Sequence, residues 1–429
     1  MSDHRAVYIV DGARTPFLKA RTHVGPFSSS DLAVACARNL LLRQNFDVNQ
    51  LDEVILGSTV VNAGEPNIAR VVGLRLGAKD VPAFSVQRNC ASGLQALDSA
   101  AQLIQLNRHE LILAGGTDDM SRSPILFPHS MANWLGDFNS AKTLTDKLKV
   151  ITHFRLRFLS PTFGLLKGLT DPYVGLSMGQ TAENLAYRFN ITRQEMDAFA
   201  LRSHERSAYA QTHHLLSEIV PLYDDKGQCY DKDDGVRPDS TMEKLAKLKP
   251  FFDKPYGNVT AGNSSQITDG AAVLILASEK AVKKYQLPVL ARIVDTQWAA
   301  LPPEIMGLGP VHAITPLLMR NKMKLDDINY YEINEAFAAQ MLACYAAWQD
   351  KEYCTQALGL QDVFGAINPD TVNIDGGAIA LGHPIAASGA RVVLHLANIL
   401  KRENARYGIA SLCIGGGQGG AMLIENMNR

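Results

Sequence analysis

The chain has 429 residues, 46% of them hydrophobic and 20% charged, with a net charge of −1. That length exceeds one ordinary core and predicts two or three lobes, while the near-neutral balance excludes a global electrostatic pull toward nucleic acid or membrane. The cysteines at 36, 90, 229, 344, 354 and 413 are scattered without a CxxC pair, which argues against a metal site or disulfide framework and for a reducing compartment.

Residues 1–119 alternate strand and helix patterns. Strands are expected at 6–10, 53–58, 83–86 and 110–114, with helices near 30–43, 68–75 and 91–106 between them, the order of a layered α/β unit. The chain enters its first strand without the charged, apolar and cleavage-site order of a secretory signal, and no apolar run reaches bilayer length. A cytoplasmic enzyme is the expectation. Residues 120–265 are richer in Pro, Gly and charge, with a helix near 179–188. Thr192 as N-cap and Glu195 at N3 then form a capping box that opens another helix. This stretch reads as a long excursion covering a site. Residues 266–288 are expected to complete the first half, and the α/β pattern returns over 289–429.

The last third repeats the first. Leu51-Asp52-Glu53-Val54-Ile55 is echoed by Leu325-Asp326-Asp327-Ile328-Asn329-Tyr330-Tyr331, and Ala91-Ser92-Gly93 by Ala387-Ser388-Gly389. The strand pattern that ends in glycines at 110–116 returns at 407–417. Two related α/β halves would place their helix N-termini around one crevice.

Four stretches carry candidate chemistry. Val86-Gln87-Arg88-Asn89-Cys90-Ala91-Ser92-Gly93 puts Cys90 where a strand gives way to a helix, and there unpaired N–H groups and the helix dipole favour a thiolate. Taken alone, Cys90 also reads as an inert core thiol. Glu332-Ile333-Asn334-Glu335-Ala336-Phe337 places Asn334 at a strand-to-helix turn, where a helix cap is the simplest role. Gly376-Gly377-Ala378-Ile379-Ala380-Leu381-Gly382-His383-Pro384 sets His383 among glycines just before a helix. Leu412-Cys413-Ile414-Gly415-Gly416-Gly417 puts Cys413 at a strand end in a glycine-rich loop.

Together, in this order, the four stretches resemble the thiolase family over essentially the whole chain. The resemblance implies the thiolase fold, two related halves in αβαβα layers with an inserted loop domain at 120–265. It also implies the reaction 3-ketoacyl-CoA + CoA ⇌ acyl-CoA + acetyl-CoA through an S-acyl-cysteine. By that resemblance Cys90 is the nucleophile, His383 takes its proton, and Cys413 is the acid/base at the acetyl carbon. His383 with a water held by Asn334 would form one oxyanion site, and the N–H groups of Cys90 and Gly415 the other. Ala261 and Ser265 fall in the segment matching the pantetheine contact. Arg237 and Phe252 match positions near the nucleotide end, while Met178, Met306 and Phe337 match the acyl or thioester pocket. Many thiolases have a histidine where this chain has Ser177, which removes one expected pantetheine contact.

The basic stretch 142–171, dotted with Leu, Ile and Phe, resembles the β-subunits of trifunctional fatty-acid oxidation complexes. There such a segment serves membrane or partner association; a solvated helical hairpin is the plainer reading. Asn334 departs from that subgroup, which usually has His, and matches short-chain acetoacetyl-CoA thiolases, which work in the condensing direction. The resemblance further implies a homodimer or homotetramer, a hydratase/dehydrogenase α-subunit as partner, and no metal or resident cofactor, with CoA and acetyl-CoA as substrates. A ketoacyl or hydroxymethylglutaryl synthase on the same fold lacks a cysteine like Cys413. A non-catalytic acyl-CoA-binding relative would have lost Cys90 or His383. Gly175-Leu176-Ser177-Met178-Gly179 imitates a hydrolase elbow without a preceding strand. Gly415, Gly417 and Gly420 imitate a dinucleotide fingerprint but lead into another strand.

Overall fold

The computed structural model describes residues 5–21, 23–60 and 62–427. The first half runs β1 (Val7–Arg14), α1 (Ser29–Leu41), β2 (Glu53–Gly57), α2 (Ile68–Leu76), β3 (Ala83–Val86), α3 (Ser92–Gln105) and β4 (Leu111–Asp119). Ser28 and Asp31 form a capping box on α1, and Asn67 caps α2. Every residue of β4 is buried, so its first half is a continuous apolar run rather than an alternation, and the Thr117, Asp118 and Asp119 that end it are buried polar groups.

The excursion carries four longer helices: α4 (His129–Ser140), α5 (Leu144–Thr152), α6 (Met178–Arg188) and α7 (Arg193–Thr212). The Thr192–Glu195 capping box opens α7. After it come β5 (Thr268–Ser278), β6 (Ala291–Ala300), α8 (Gly309–Arg320), β7 (Tyr330–Ile333), α9 (Ala338–Gln349), α10 (Ile385–Arg402), β8 (Tyr407–Ile414) and β9 (Gln418–Glu425).

These strands lie in the order β3-β2-β4-β5-β1-β6-β9-β8-β7. In the first half β3, β2 and β4 are parallel, and β5 runs antiparallel between β4 and β1. The second half repeats this: β7 and β8 are parallel, β9 runs antiparallel between β8 and β6, and Val372 bridges Tyr331 where the counterpart of β3 belongs. The halves meet along β1 and β6, from Val7 opposite Ile293 to Ile9 opposite Ala291.

Three apolar clusters define the layers. One lies under α1 and α2, one around α3 and α10 between the two halves of the sheet, and one under α8 and α9 with α6 and α7. The five layers are thus shared, each half giving one sheet, one outer helical layer and one central helix. The central helices approach closely because both carry glycine at the crossing. A Cβ on Gly93 would lie 2.5 Å from the Ala386 carbonyl oxygen, and one on Gly389 would lie 2.4 Å from the Leu94 nitrogen. This contact brings the N-terminal ends of α3 and α10, and hence Cys90 and His383, together.

The segment 142–171 supplies one arm of a helical hairpin, α5, and the other arm, α4, precedes it. Trp134 of α4 stacks on Phe138 and meets Phe154, which follows α5 and packs on Phe158, and Trp134 Nε1 donates to the Val150 carbonyl at 2.8 Å. Leu144, Leu148 and Ile151, spaced along one face of α5, are exposed, as are Leu156 and Leu166. No helix among the described residues is long and apolar enough to cross a membrane.

Candidate functional site

Cys90 follows β3 in a tight turn. The Ala91 N–H donates to the Arg88 carbonyl at 3.0 Å, and Ser92 Oγ accepts from the Arg88 N–H at 2.9 Å and donates to the Asn89 carbonyl at 2.7 Å. No side chain caps α3 at Ala91. The helix start favours a thiolate, and the surroundings oppose it. Burial raises the Cys90 pKa, and it outweighs the opposing hydrogen bonds from the N–H groups of Gly415 and of Cys90 itself; Asp118 adds to the rise. Desolvation wins over the helix end, so Cys90 rests as a thiol and needs a base.

His383 lies just before the start of α10. It is buried, its N–H donates to the Gln266 carbonyl at 2.9 Å, and its Nδ1 lies 2.5 Å from Ser388 Oγ. Ser388 Oγ donates its single proton to the Pro384 carbonyl at 3.0 Å. With that proton placed on the Pro384 carbonyl, the ring hydrogen is assigned to Nδ1 and the free lone pair to Nε2. Burial, with a smaller contribution from the Arg391 charge, pushes the imidazole down to about 4, so at neutral pH it is uncharged and able to accept a proton.

Nε2 faces Asn334 Nδ2 at 3.5 Å. Asn334 is not a helix cap, since α9 starts only at Ala338. Its N–H instead donates to the Ser411 carbonyl at 2.9 Å, and its buried Oδ1 has no hydrogen-bond partner among the described residues. A buried polar atom of this kind is ordinarily satisfied by water or ligand. Cys413, near the end of β8, is fully buried. Burial raises its pKa well above the usual thiol range, and the neighbouring Cys90 and Cys344 push the same way. Gly415 directs its N–H at Cys90, and its carbonyl accepts from Asn89 Nδ2 at 2.8 Å.

Around these groups lies an apolar wall. Met306 and Phe337 share a buried cluster with Cys413, and Met178 and Phe252 pack against it. A Cβ on Gly415 would lie 3.3 Å from the Met178 sulfur. Phe252, expected near the nucleotide end, belongs to this wall: its ring meets Phe337 edge-on at 5.9 Å and lies over Gly179, where a Cβ would be 2.2 Å away. Ser265 donates its N–H to the Ala336 carbonyl at 2.9 Å, and Ala261 is exposed nearby in sequence. Arg237 is not part of the thiol cluster. It lies exposed, with its N–H on His204 Nδ1 at 3.2 Å and its charge lowering the pKa of Lys19, where burial is the larger cause. Such a cationic edge suits an anionic group. Among the described residues no three His, Cys, Asp or Glu side chains are grouped to hold a metal ion.

Two matches to known families span this chain: the thiolase N-terminal domain over residues 7–280 and the thiolase C-terminal domain over residues 287–426. The chain belongs to the thiolase family. It is a CoA-dependent acyltransferase. This thiolase is 38% identical over 424 residues to the mitochondrial trifunctional enzyme subunit beta of Bos taurus, covering 98% of this chain and 88% of that one. It is 40% identical over 430 residues to the beta-ketoadipyl-CoA thiolase of Acinetobacter baylyi, covering 98% and 99%. The structure of human mitochondrial 3-ketoacyl-CoA thiolase in complex with CoA superposes with a TM-score of 0.84 at 36% identity, covering 99% of this chain and 98% of that one.

Several residues that hold the thiolase site were not singled out in the sequence. Asp118 accepts from the Ala386 N–H at 2.7 Å and the Thr59 N–H at 2.8 Å, anchoring the start of α10. Glu335 accepts from Ser203 Oγ at 2.6 Å and Asn373 Nδ2 at 2.9 Å, fixing the turn that bears Asn334. The missing histidine at Ser177 also has a local reason, since Ser177 is the N-cap of α6 and forms a capping box with Gln180. For Asp118 and Glu335 the only sequence signal was a carboxylate inside an otherwise apolar or small-residue run.

Proposed function

We propose that this thiolase cleaves 3-ketoacyl-CoA in fatty-acid β-oxidation, with Cys90, His383, Cys413 and Asn334 as catalytic groups. The observation that carries the proposal is the geometry at the junction of the two halves, where the Gly415 N–H faces Cys90, buried Cys413 neighbours Cys90, and Asn334 Nδ2 lies 3.5 Å from Nε2 of buried His383. His383 Nε2 accepts the Cys90 proton as sulfur attacks the C3 ketone. The C2–C3 bond then breaks, leaving the acyl group on Cys90 and an acetyl-CoA enolate that takes its proton from Cys413. CoA then attacks the acyl-enzyme: the Cys413 thiolate takes the CoA thiol proton, the thioester bond to Cys90 breaks, and His383 returns its proton to the departing Cys90 sulfur as acyl-CoA leaves. The N–H groups of Cys90 and Gly415 stabilise the oxyanion at the ketone carbon, and His383 with an Asn334-bound water stabilises the enolate. Each such donor is worth about 3 kcal/mol of barrier.

Met178, Phe252, Met306 and Phe337 would line the thioester and acyl space, Ala261 and Ser265 the pantetheine arm, and Arg237 the anionic nucleotide end. We further infer self-association, supported by the outer edge of β3, which ends the sheet with Phe84 exposed. The resemblance to trifunctional enzyme subunits beta supports an α-subunit partner. The exposed apolar side chains of α5, with Lys142, Lys147 and Lys149 in the same stretch, supply a surface for that partner or for a membrane.

Asn334 favours a second reading, a short-chain acetyl-CoA acetyltransferase. Thiolysis rates on acetoacetyl-CoA and 3-ketohexadecanoyl-CoA decide between them. Preference for the long chain supports the β-oxidation role, preference for acetoacetyl-CoA supports the second reading, and inactivity on both sinks the thiolysis proposal.

A further inference from the structure

We infer that Asn89, through its side-chain amide, is the positioning residue that ties the nucleophile loop to the Cys413–Gly417 loop and holds the Gly415 N–H on the Cys90 sulfur. The inference rests on the thiolase reading of the site and concerns a residue beside the reacting atoms. Asn89 takes a left-handed conformation, with φ of 43°, which asparagine tolerates better than most residues other than glycine. That backbone turn directs the Cys90 side chain into the crevice and sends the Asn89 amide across to the other half of the molecule, where Nδ2 donates to the Gly415 carbonyl at 2.8 Å.

The recipient needs such a tie. Gly415, Gly416 and Gly417 are consecutive, so this loop has no side chain of its own with which to fix its course. Gly416 has φ of 87°, is exposed, and has nothing near the position of a Cβ. The far end is held by the Leu301 N–H, which donates to the Gly417 carbonyl at 2.8 Å. The near end, whose N–H faces the sulfur, is held by Asn89 and packed by Met178. Next to Asn89, Arg88 lies 4.0 Å over the Trp298 ring, whose Nε1 donates to Asp98 at 2.9 Å. Two neighbouring residues thus fasten the nucleophile loop to the second half. Only Asn89 touches the loop that carries an oxyanion donor, and only its loss should alter the chemistry at sulfur.

The test uses the full-length protein and two readouts: the pH dependence of iodoacetamide alkylation at Cys90, followed by mass spectrometry, and the rate of acyl-enzyme formation from acetyl-CoA. Asn89→Gly keeps the left-handed turn and removes the amide. It should raise the alkylation midpoint by about one pH unit, a tenfold loss of thiolate at neutral pH, and slow acylation about tenfold, a fraction of what a lost oxyanion donor costs. Asn89→Asp also tolerates the turn and should shift the midpoint at least as far, because a carboxylate repels the Gly415 carbonyl and the thiolate alike. It stands in if the glycine variant fails to fold. Arg88→Ala should lower the melting temperature and leave the alkylation midpoint in place. A folded Asn89→Gly or Asn89→Asp variant with wild-type alkylation and acylation overturns the inference. So does an Arg88→Ala variant that shifts the midpoint as far as they do, since the effect would then be general loosening. If the wild type forms no acyl-enzyme, the thiolase proposal fails, and the alkylation profiles still decide the role of Asn89.

Discussion

Helices α3 and α10 occupy equivalent places in the two halves, and they differ in what they were given to hold. Both begin beside a reactive side chain, Cys90 for one and His383 for the other. Both cross at a glycine, and both carry a serine that reaches back toward the fourth residue before it. On α3, Ser92 spends its hydroxyl on backbone, taking the Arg88 N–H and giving to the Asn89 carbonyl. On α10, Ser388 gives to the Pro384 carbonyl and takes the His383 ring hydrogen. The same local device stiffens a loop in one half and selects a tautomer in the other. Below that first turn the helices diverge further. Helix α3 meets the core through Leu94, Leu97, Ala100 and Ala101, whereas α10 buries Arg391 against Glu332 at 2.6 Å and His395 between Glu218 at 3.0 Å and Asp375 at 3.1 Å. Repetition of the fold supplies the geometry, and divergence of side chains supplies the chemistry.

The comparison breaks most completely at the two thiols. Cys90→Ala should abolish acyl-enzyme formation. Cys413→Ala should stop C–C cleavage while Cys90 still becomes acylated. Rapid-quench mass spectrometry with acetyl-CoA and 3-ketoacyl-CoA separates the two, and an adduct persisting in Cys90→Ala removes Cys90 from the role.

The next largest effect is expected from the buried histidine of α10 and its two carboxylate partners, a cluster that α3 does not repeat. Burial alone would lower the His395 pKa, but the Glu218 and Asp375 carboxylates raise it from 6.5 to about 10. The raised folded value means a stabilising contribution that is full below the unfolded pKa and lost as pH rises toward 10. His395→Gln should therefore cost about 3–5 kcal/mol near neutral pH and progressively less under alkaline conditions. Urea unfolding at several pH values measures this, and a pH-independent difference would sink the assignment.

At the crossing itself the halves should respond alike. Gly93→Ala and Gly389→Ala each push a methyl group into backbone that cannot rotate away, and overpacking of this kind costs about 1–3 kcal/mol. Melting temperatures that fall for one variant and not the other would show that the crossing is less symmetric than its contacts. The smallest and sharpest contrast concerns the serines. Ser92→Ala should cost about 1 kcal/mol of stability, the usual net worth of a hydrogen bond, with little change in pH profile. Ser388→Ala should lower kcat and alter the acid limb of kcat/KM, because the His383 tautomer is no longer chosen. Matching profiles for the two variants would reduce Ser388 to a second loop brace.

Much of this was legible in the residues. The echo of Leu51–Ile55 in 325–331 and of Ala91-Ser92-Gly93 in Ala387-Ser388-Gly389 anticipated β2 with β7 and α3 with α10, because apolar runs and small-residue helix starts are local patterns. Cys90, Asn334, His383 and Cys413 stood out for their company in sequence. What escaped were bonds made across the fold. Asn89 is unremarked until Gly415 is seen opposite it, and Asp118 looks like a strand residue until the start of α10 arrives on it. The two influences on Cys90 differ in the same way: the helix start that favours a thiolate is visible in sequence, and the desolvation that opposes it is not. Phe252 meets Phe337 across the fold, a contact hidden in the sequence because the two residues are far apart along the chain.

The position of β5 has a consequence for how the chain is made. It lies between β1 and β4 and pairs with both, yet it is synthesised only after the whole excursion. While the ribosome works through the excursion, β1 and β4 have emerged with nothing to join them, and each presents an unpaired edge beside an apolar face. Such long-range antiparallel pairing is slow to form and exposed to aggregation. The half that bears Cys90 is therefore completed late, when Thr268–Ser278 slides into the gap. A nascent chain halted before that strand should stay associated with chaperones and be sensitive to protease, and one halted just after it should acquire resistance in a single step.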